Sequence, residues 1–324
     1  HNTRARARDA PQKGECALMK THAQGLKILD IDCKLVTELV TRFIKNEVTK
    51  TGMNKAILGL SGGIDSALVA FLCKEALGAD NVCGVRLPYK SSSPESLAHA
   101  ELVAKKAGIE MLTYDITAAA EGFASADFAF DTACAKFTPE GDAASAKSVK
   151  MGATLTHHHL GNVLARCRMN ALYHLSALSK SMVTGTSNKT ELLLGYGTLW
   201  GDLAYGINPV GDLYKYQVRQ LARYHGVPDE IIAKKPSADL FPGQTDEGDL
   251  GYSYEELDYA LYRLVDAREN PKLLADSGEI KPELINFCLK KIMSMQFKRQ
   301  MPHIAMVSFR TINQSFNYPR DWAL

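Results

Sequence analysis

The run Lys55-Ala56-Ile57-Leu58-Gly59-Leu60 meets the small-residue turn Ser61-Gly62-Gly63 and passes within three residues into Ser66-Ala67-Leu68-Val69-Ala70-Phe71-Leu72-Cys73. Few folds accept that succession. A short strand that is apolar on both faces needs a layer over each face, which is the setting of a parallel strand inside an α/β sheet. A helix that is apolar nearly all round must also be buried. The glycines allow a tight reversal between the two, and Gly78 supplies a helix stop. Downstream, residues 81–88 read as a second strand, 94–107 as a helix closed by Gly108, and 110–115 as a third strand. The order β-α-β-α-β with short connections predicts a doubly wound α/β fold, a parallel sheet with helices on both faces.

The rest of the chain fits around that unit. Ile31, Leu35, Leu39 and Phe43, with Val36, Val40 and Ile44, recur at helical spacing and predict an amphipathic helix over 30–50. Residues 117–160 are alanine-rich, contain Pro139 and Gly141, and are expected to form a mobile loop. Helices are predicted over 162–178, 213–225, 254–268 and 282–298, with a fourth strand over 180–183. No internal repeat or low-complexity linker divides the chain, so residues 21–324 are expected to form one domain. Residues 1–20 read as a tail, an upstream remnant with Met19 as the start.

Charge excludes one class of function. Lys and Arg number 38 against 36 Asp and Glu, and five of the basic residues lie in the first 20 positions. The body is neutral and lacks the basic field of a nucleic-acid binder. The longest apolar stretch is interrupted by Asp65, so no membrane span is expected. Seven cysteines, an odd number with no CxxC pair, read as reduced thiols of a cytoplasmic protein.

The chemistry converges on residues 59–66. Gly59, Leu60, Ser61, Gly62, Gly63, Ile64, Asp65 and Ser66 lie at the carboxyl end of a predicted strand, where open α/β sheets bind ligands. Backbone N–H groups of such a turn converge on an anion, and the following helix adds its positive end. The loop lacks the lysine of GxxxxGK[ST] and does not fit GxGxxG, which sets it apart from the commoner nucleotide loops.

SGGIDS resembles the PP-loop of the ATP pyrophosphatases, and the chain as a whole resembles the NAD synthetase family. The likeness runs over residues 25–300 through Leu87-Pro88-Tyr89, Gly161-Asn162 to Met169, Gly185-Thr186-Ser187-Asn188-Lys189-Thr190-Glu191, Gly201-Asp202, Ile207-Asn208-Pro209, and Lys235-Pro236-Ser237-Ala238-Asp239-Leu240. It implies an adenine nucleotide alpha hydrolase-like fold and an ammonia-dependent ligase. Such an enzyme adenylylates the nicotinate carboxylate of deamido-NAD with ATP, releases diphosphate, and amidates the adenylate with NH3 to give NAD and AMP. The chemistry is coherent, because a carboxylate resists amines until it becomes a mixed anhydride, and the phosphates gathered for that step need cations.

By the same resemblance Asp65 and Glu191 hold Mg2+, and residues 59–66, Thr186, Lys215 and Ser237 contact ATP. Arg166 meets the dinucleotide. Asp202 sits beside the ammonia site, catalytic with Asp65, although an ordinary aspartate is a weak base. The family pattern of a Lys and a later Asp around this glycine loop is replaced here by Leu199 and Gly206, with Trp200 or Tyr205 available to stack on a ring. Phe297-Lys298-Arg299 stands where the family places a basic substrate contact. The resemblance also implies a homodimer and an ammonia supply separate from the chain, since 54 residues ahead of Lys55 leave no room for an amidase. Lys234-Lys235 reads as a solvated end with a phosphate role open, and His157–His159 as part of the loop, because consecutive histidines cannot all face one ion. Two rivals make different demands. A tRNA-modifying PP-loop enzyme calls for paired cysteines or a basic body, and a nucleotide sensor has no need of Asp65, Glu191, Lys215 and Asp202 together.

Overall fold

The computed structural model describes residues 25–124, 127–128, 149–150, 157–237, 245–300, 302–309 and 311–312. Four strands, β1 (Lys55–Gly59), β2 (Val82–Arg86), β3 (Glu110–Thr113) and β4 (Ser181–Val183), form a sheet in the order β3-β2-β1-β4. All three pairings are parallel, with Ala56 opposite Val82, Cys83 opposite Glu110 and Lys55 opposite Ser181. A further parallel bridge joins Thr184 to Ile207 and carries the next segment past the end of β4.

Strand alternation distributes the core. Ala56 and Leu58 point to one face, where they meet helices α1 (Cys33–Thr49), α2 (Ile64–Leu77) and α3 (Pro94–Ala107) and the later helix α7 (Lys215–Tyr224). Ile57 and Val85 point to the other face, against α4 (Thr117–Ala124) and α5 (His157–Ser179) through Ile116, Ala120, Leu164 and Cys167. Helices therefore cover both faces, as the β-α-β-α-β order requires. A satellite core joins α6 (Lys189–Leu194), α10 (Tyr254–Leu261), α11 (Pro271–Asp276) and α12 (Pro282–Ser294) around Leu194, Leu257, Leu261 and Ile285. Between α7 and α10 lie the short helices α8 (Asp229–Ala233) and α9 (Asp246–Leu250). Among the described residues no helix is long and apolar enough to cross a membrane.

Four expectations are corrected. Helix α1 forms, but Val36, Val40, Ile44 and Val48 pack on the core, while Leu35, Leu39 and Phe43 are exposed. Seven apolar residues exceed what one stripe can hold, and the β-branched line won. The segment 117–160 is not simply a loop. It opens with α4, anchored by fully buried Ala120, contains the antiparallel pair Asp127–Phe128 with Val149–Lys150, and ends inside α5. Residues 125–126, 129–148 and 151–156, with Pro139 and Gly141, lie outside the described residues, as does the 1–20 tail. His157–His159 begin α5 rather than belonging to a loop. The helix predicted over 254–268 ends at Leu261 and opens into a wider turn over Tyr262–Asp266, where Arg263 is held by Glu269 and Glu279.

Candidate active site

A cavity of about 540 Å³ lies at the carboxyl ends of β1, β2 and β4, closed on its far side by α5 and by the satellite helices. The 59–66 turn forms its floor. Gly62 adopts φ +76°, and a Cβ there would stand 2.3 Å from the Ser96 carbonyl oxygen, so no other residue fits this close approach. The turn is pinned by its serines. The Ser61 and Ser66 hydroxyls lie 3.1 Å apart, Ser66 Oγ donates to Gly63 O at 3.0 Å, and the Gly63 N–H donates to Ser61 Oγ at 3.2 Å. Helix α2 starts immediately beyond with no side-chain cap, and its first residues Ile64, Asp65 and Ser66 line the cavity.

Facing this floor is a buried charge cluster. Lys215 is 2% exposed, with Nζ 2.5 Å from Asp65 Oδ2 and 3.4 Å from Glu191 Oε1. Its ammonium also lies 4.8 Å from the centre of the Tyr254 ring. Asn188 Nδ2 donates to the other Asp65 oxygen at 3.0 Å. Glu191 is positioned by local sequence. Asn188 caps α6, accepting the Glu191 N–H at 3.0 Å while its own N–H donates to Glu191 Oε2 at 3.2 Å, a reciprocal capping box.

One ammonium between two carboxylates leaves the cluster short of positive charge. Burial and then the Asp65 carboxylate push Glu191 up to about 8. Burial works against the Lys215 charge, yet Asp65 and Glu191 outweigh it and hold its pKa above the ordinary lysine value. Asp246 adds a third acid to the wall, raised chiefly by burial, and accepts hydrogen bonds at 3.0 Å from Tyr196 and Tyr254.

At the opposite end, Asp202 faces the cavity and accepts the Thr198 N–H at 2.8 Å. Crowding by protein raises its pKa, while the Thr198 N–H and the charge of Lys298 pull it back. Lys298 lines the same end, donating to the carbonyls of Gly195 at 2.8 Å and Gly197 at 2.6 Å, and burial lowers its pKa.

The cavity wall gathers nearly every residue singled out from the sequence. Gly59, Leu60, Ser61, Gly63, Ile64, Asp65, Ser66, Thr186, Glu191, Asp202, Lys215 and Ser237 all line it, with Gly62 directly behind. Lys234 and Lys235 line it too, and Lys234 Nζ donates to Ser96 Oγ at 2.9 Å. Arg166 does not. It lies on the exposed side of α5 and donates to Leu199 O at 3.3 Å, whereas Arg168, two residues on, lines the wall and donates to Leu87 O at 3.1 Å. Trp200 is half exposed, and the Tyr205 ring packs against Gly185, so neither forms part of the wall. Arg299 is occupied with the carbonyls of Leu192, Leu193 and Ile292. Sequence reasoning missed Asn188, whose N-x-x-E spacing to Glu191 is a readable cap, and Tyr196, Asp246 and Asp249, which carry no such signal.

A glycine turn at the end of a parallel strand, faced by a buried ammonium between carboxylates, belongs to an α/β protein of the PP-loop fold. Comparison with known proteins makes that assignment specific. The NAD synthase family profile matches residues 36–302, and the chain belongs to that family. It is 46% identical over 294 residues to the NH(3)-dependent NAD(+) synthetase of Trichlorobacter lovleyi, covering 91% of this chain and 98% of that protein. The solved NH3-dependent NAD synthetase of Campylobacter jejuni, in complex with nitrate, is 33% identical with a TM-score of 0.64, covering 85% of this chain and all of that one. The NMN synthetase of Francisella tularensis has a TM-score of 0.68 at 26% identity over 86% of this chain and 100% of that one.

Proposed function

We propose that this chain makes NAD from deamido-NAD, ATP and ammonia, by adenylylating the nicotinate carboxylate and then displacing AMP with NH3. The observation that carries the reading is the Asp65–Lys215–Glu191 cluster beneath the phosphate turn, with Asp202 and Lys298 at the other end of one cavity. It supplies the two subsites that two half-reactions need.

The donor set fits Mg2+. That ion commonly takes one or two protein carboxylates and fills its remaining positions with phosphate oxygens and water. Asp65 and Glu191 would hold it, and it would offset the charge of the phosphate chain. The turn N–H groups and the start of α2 orient the phosphates, Lys215 contributes a fixed positive charge, and Thr186 and Ser237 offer hydroxyls to the nucleotide. The carboxylate oxygen of the dinucleotide attacks the α-phosphorus, and diphosphate leaves.

In the second half-reaction Asp202 accepts a proton as the amine attacks. Its raised pKa makes it a better base than an ordinary aspartate. Lys298, which lines that end of the cavity, would offer its charge to an anionic part of the substrate. Arg166, exposed and outside the wall, suits a contact to dinucleotide at a subunit boundary, in keeping with a homodimer, and we place the enzyme in the cytoplasm.

The test is NAD formation by purified protein freed of ammonium, with ammonium or glutamine as nitrogen source across a pH series. A parallel series replaces deamido-NAD by nicotinate mononucleotide. The proposal expects ammonium-dependent turnover that rises with pH as the NH3 fraction grows, and preference for the dinucleotide. Efficient use of glutamine would refute the nitrogen assignment, and preference for the mononucleotide would refute the substrate assignment.

A further inference from the structure

Asp258 is a buried acid that the chemistry above does not use. It lies on α10, is fully buried, and its carboxyl is pushed up to about 7, chiefly by burial. Such a group is retained at a cost in solvation unless its oxygens are well occupied. Both are. Oδ1 accepts the Thr190 hydroxyl at 2.5 Å, and Oδ2 accepts the Tyr216 N–H at 2.8 Å. Thr190 Oγ1 in turn accepts the Lys215 N–H at 3.1 Å.

Lys215 and Tyr216 are the first two residues of α7, so these N–H groups are two of the four that a helix start leaves without intrahelical partners. They are capped here by groups from two other helices, and a carboxylate suits the positive end of α7. One turn earlier on α10, Tyr254 places its ring under the Lys215 ammonium. Helix α10 thus holds Lys215 at both ends, by the backbone through Asp258 and Thr190 and by the ammonium through Tyr254. Thr190 also directly precedes Glu191.

We propose that Asp258 is a positioning residue for adenylylation, fixing Lys215 and Glu191 in mutual register through the Thr190 hydroxyl and the first N–H groups of α7. The proposal rests on the reading of Lys215 and Glu191 as phosphate-side groups. An amide at position 258 keeps an acceptor oxygen for the Tyr216 N–H but turns an N–H donor toward Thr190 Oγ1, so the Thr190 hydroxyl proton loses its acceptor and the contact that orients Oγ1 toward the Lys215 N–H is replaced. The α7 start then shifts relative to α6, and Lys215 moves away from the place the phosphates require.

The experiment measures exchange of labelled diphosphate into ATP, with deamido-NAD present, in the full-length enzyme. It compares Asp258→Asn, Thr190→Val, Thr190→Ser and Lys215→Met, with ammonia dependence and thermal denaturation recorded for each. Displacement of a catalytic group by about 1 Å can cost ~10²-fold, so Asp258→Asn and Thr190→Val should each lose ~10–100-fold in exchange and raise the KM for ATP. The KM for ammonia should stay unchanged. Thr190→Ser, which keeps the hydroxyl, should restore exchange, and the Asp258→Asn/Thr190→Val double variant should lose little more than the worse single.

Lowered thermal stability with wild-type exchange in Asp258→Asn and Thr190→Val would show a purely structural cap and overturn the proposal. Equal loss of exchange and of ammonia affinity would overturn it as general damage. If Asp258→Asn does not fold, Thr190→Val decides alone. Wild-type exchange in Lys215→Met would overturn the underlying reading and the proposal with it. Loss in Lys215→Met with none in the other two would overturn only the positioning role.

Discussion

Replacing Lys215 with methionine removes the cation of the buried cluster at nearly constant volume and leaves a thioether against the Tyr254 ring. The ammonium stands 2.5 Å from Asp65 and 3.4 Å from Glu191. With an effective dielectric constant of about 20, attraction to the Asp65 carboxylate at that distance is roughly 6–7 kcal/mol, and Glu191 adds to it only where it is ionised. Desolvation of the ions takes back several kcal/mol each, so removing one partner of a buried pair typically costs about 3–5 kcal/mol. Glu191 moderates that loss, because its carboxyl already stands at about 8 and takes up a proton readily once the lysine is gone. The stability loss of Lys215→Met should therefore be smallest below pH 8 and grow above it. Activity has no such relief. Losing one preorganised contact to developing charge costs ~10²–10³ in rate, and exchange of diphosphate into ATP should fall by that factor at every pH. Thermal denaturation at pH 6 and pH 9, beside the exchange assay, separates the two effects. Folded Lys215→Met protein with wild-type exchange would refute the argument that this ammonium serves the phosphates.

Three further outcomes follow from the geometry. Asp202→Asn keeps an acceptor for the Thr198 N–H, so diphosphate exchange should persist while amide formation falls ~10²-fold, the usual contribution of a general base; equal loss of both steps would assign Asp202 to binding or folding. Glu191 holds its proton more tightly in the folded chain, at about 8, than in the unfolded chain, so its contribution to stability is full at acidic pH and is lost as pH rises toward 8. The melting temperature of the ligand-free protein should thus fall from pH 5 to pH 8 more steeply than that of Glu191→Gln, and parallel curves would contradict this. Gly62→Ala forces a left-handed conformation costing roughly 1–2 kcal/mol. It also drives a methyl against the Ser96 carbonyl, so stabilisation by ATP should disappear in a thermal shift assay; an undiminished shift would show that the turn tolerates the change.

The sheet and its order of elements were legible because β1 is apolar on both faces and α2 nearly all round, which leaves a covered parallel strand as the economical solution. The tight turn over 61–63 was legible for the same reason, since Gly62 and Gly63 sit where two buried elements must reverse. Helix α1 was legible in existence but not in facing, because Leu35 and Phe43 are as apolar as Val36 and Ile44, and only packing on α2 and α7 chooses between them. The start of the 117–160 segment was misread because small residues such as Ala120 look featureless in sequence, while a fully buried alanine against α5 is an anchor. Lys215 alone resembles a surface lysine. Its burial depends on Asp65 and Glu191, which lie 150 and 24 residues away in sequence and meet it only after the sheet has formed. Asp246, Tyr196 and Asp258 were invisible for the same reason: each matters through partners on another helix.

In the proposed reaction the substrate carboxylate becomes bonded to AMP before nitrogen enters. Deamido-NAD labelled with oxygen-18 in that carboxylate tests it directly, by mass spectrometry of the products after turnover with ATP and ammonium. The carboxylate oxygen that attacks the α-phosphorus must leave with AMP when the amine displaces it, so one label is expected in AMP and one in the amide oxygen of NAD, with unlabelled diphosphate. Label in inorganic phosphate together with ADP, or no label in any phosphorus product, would contradict adenylylation.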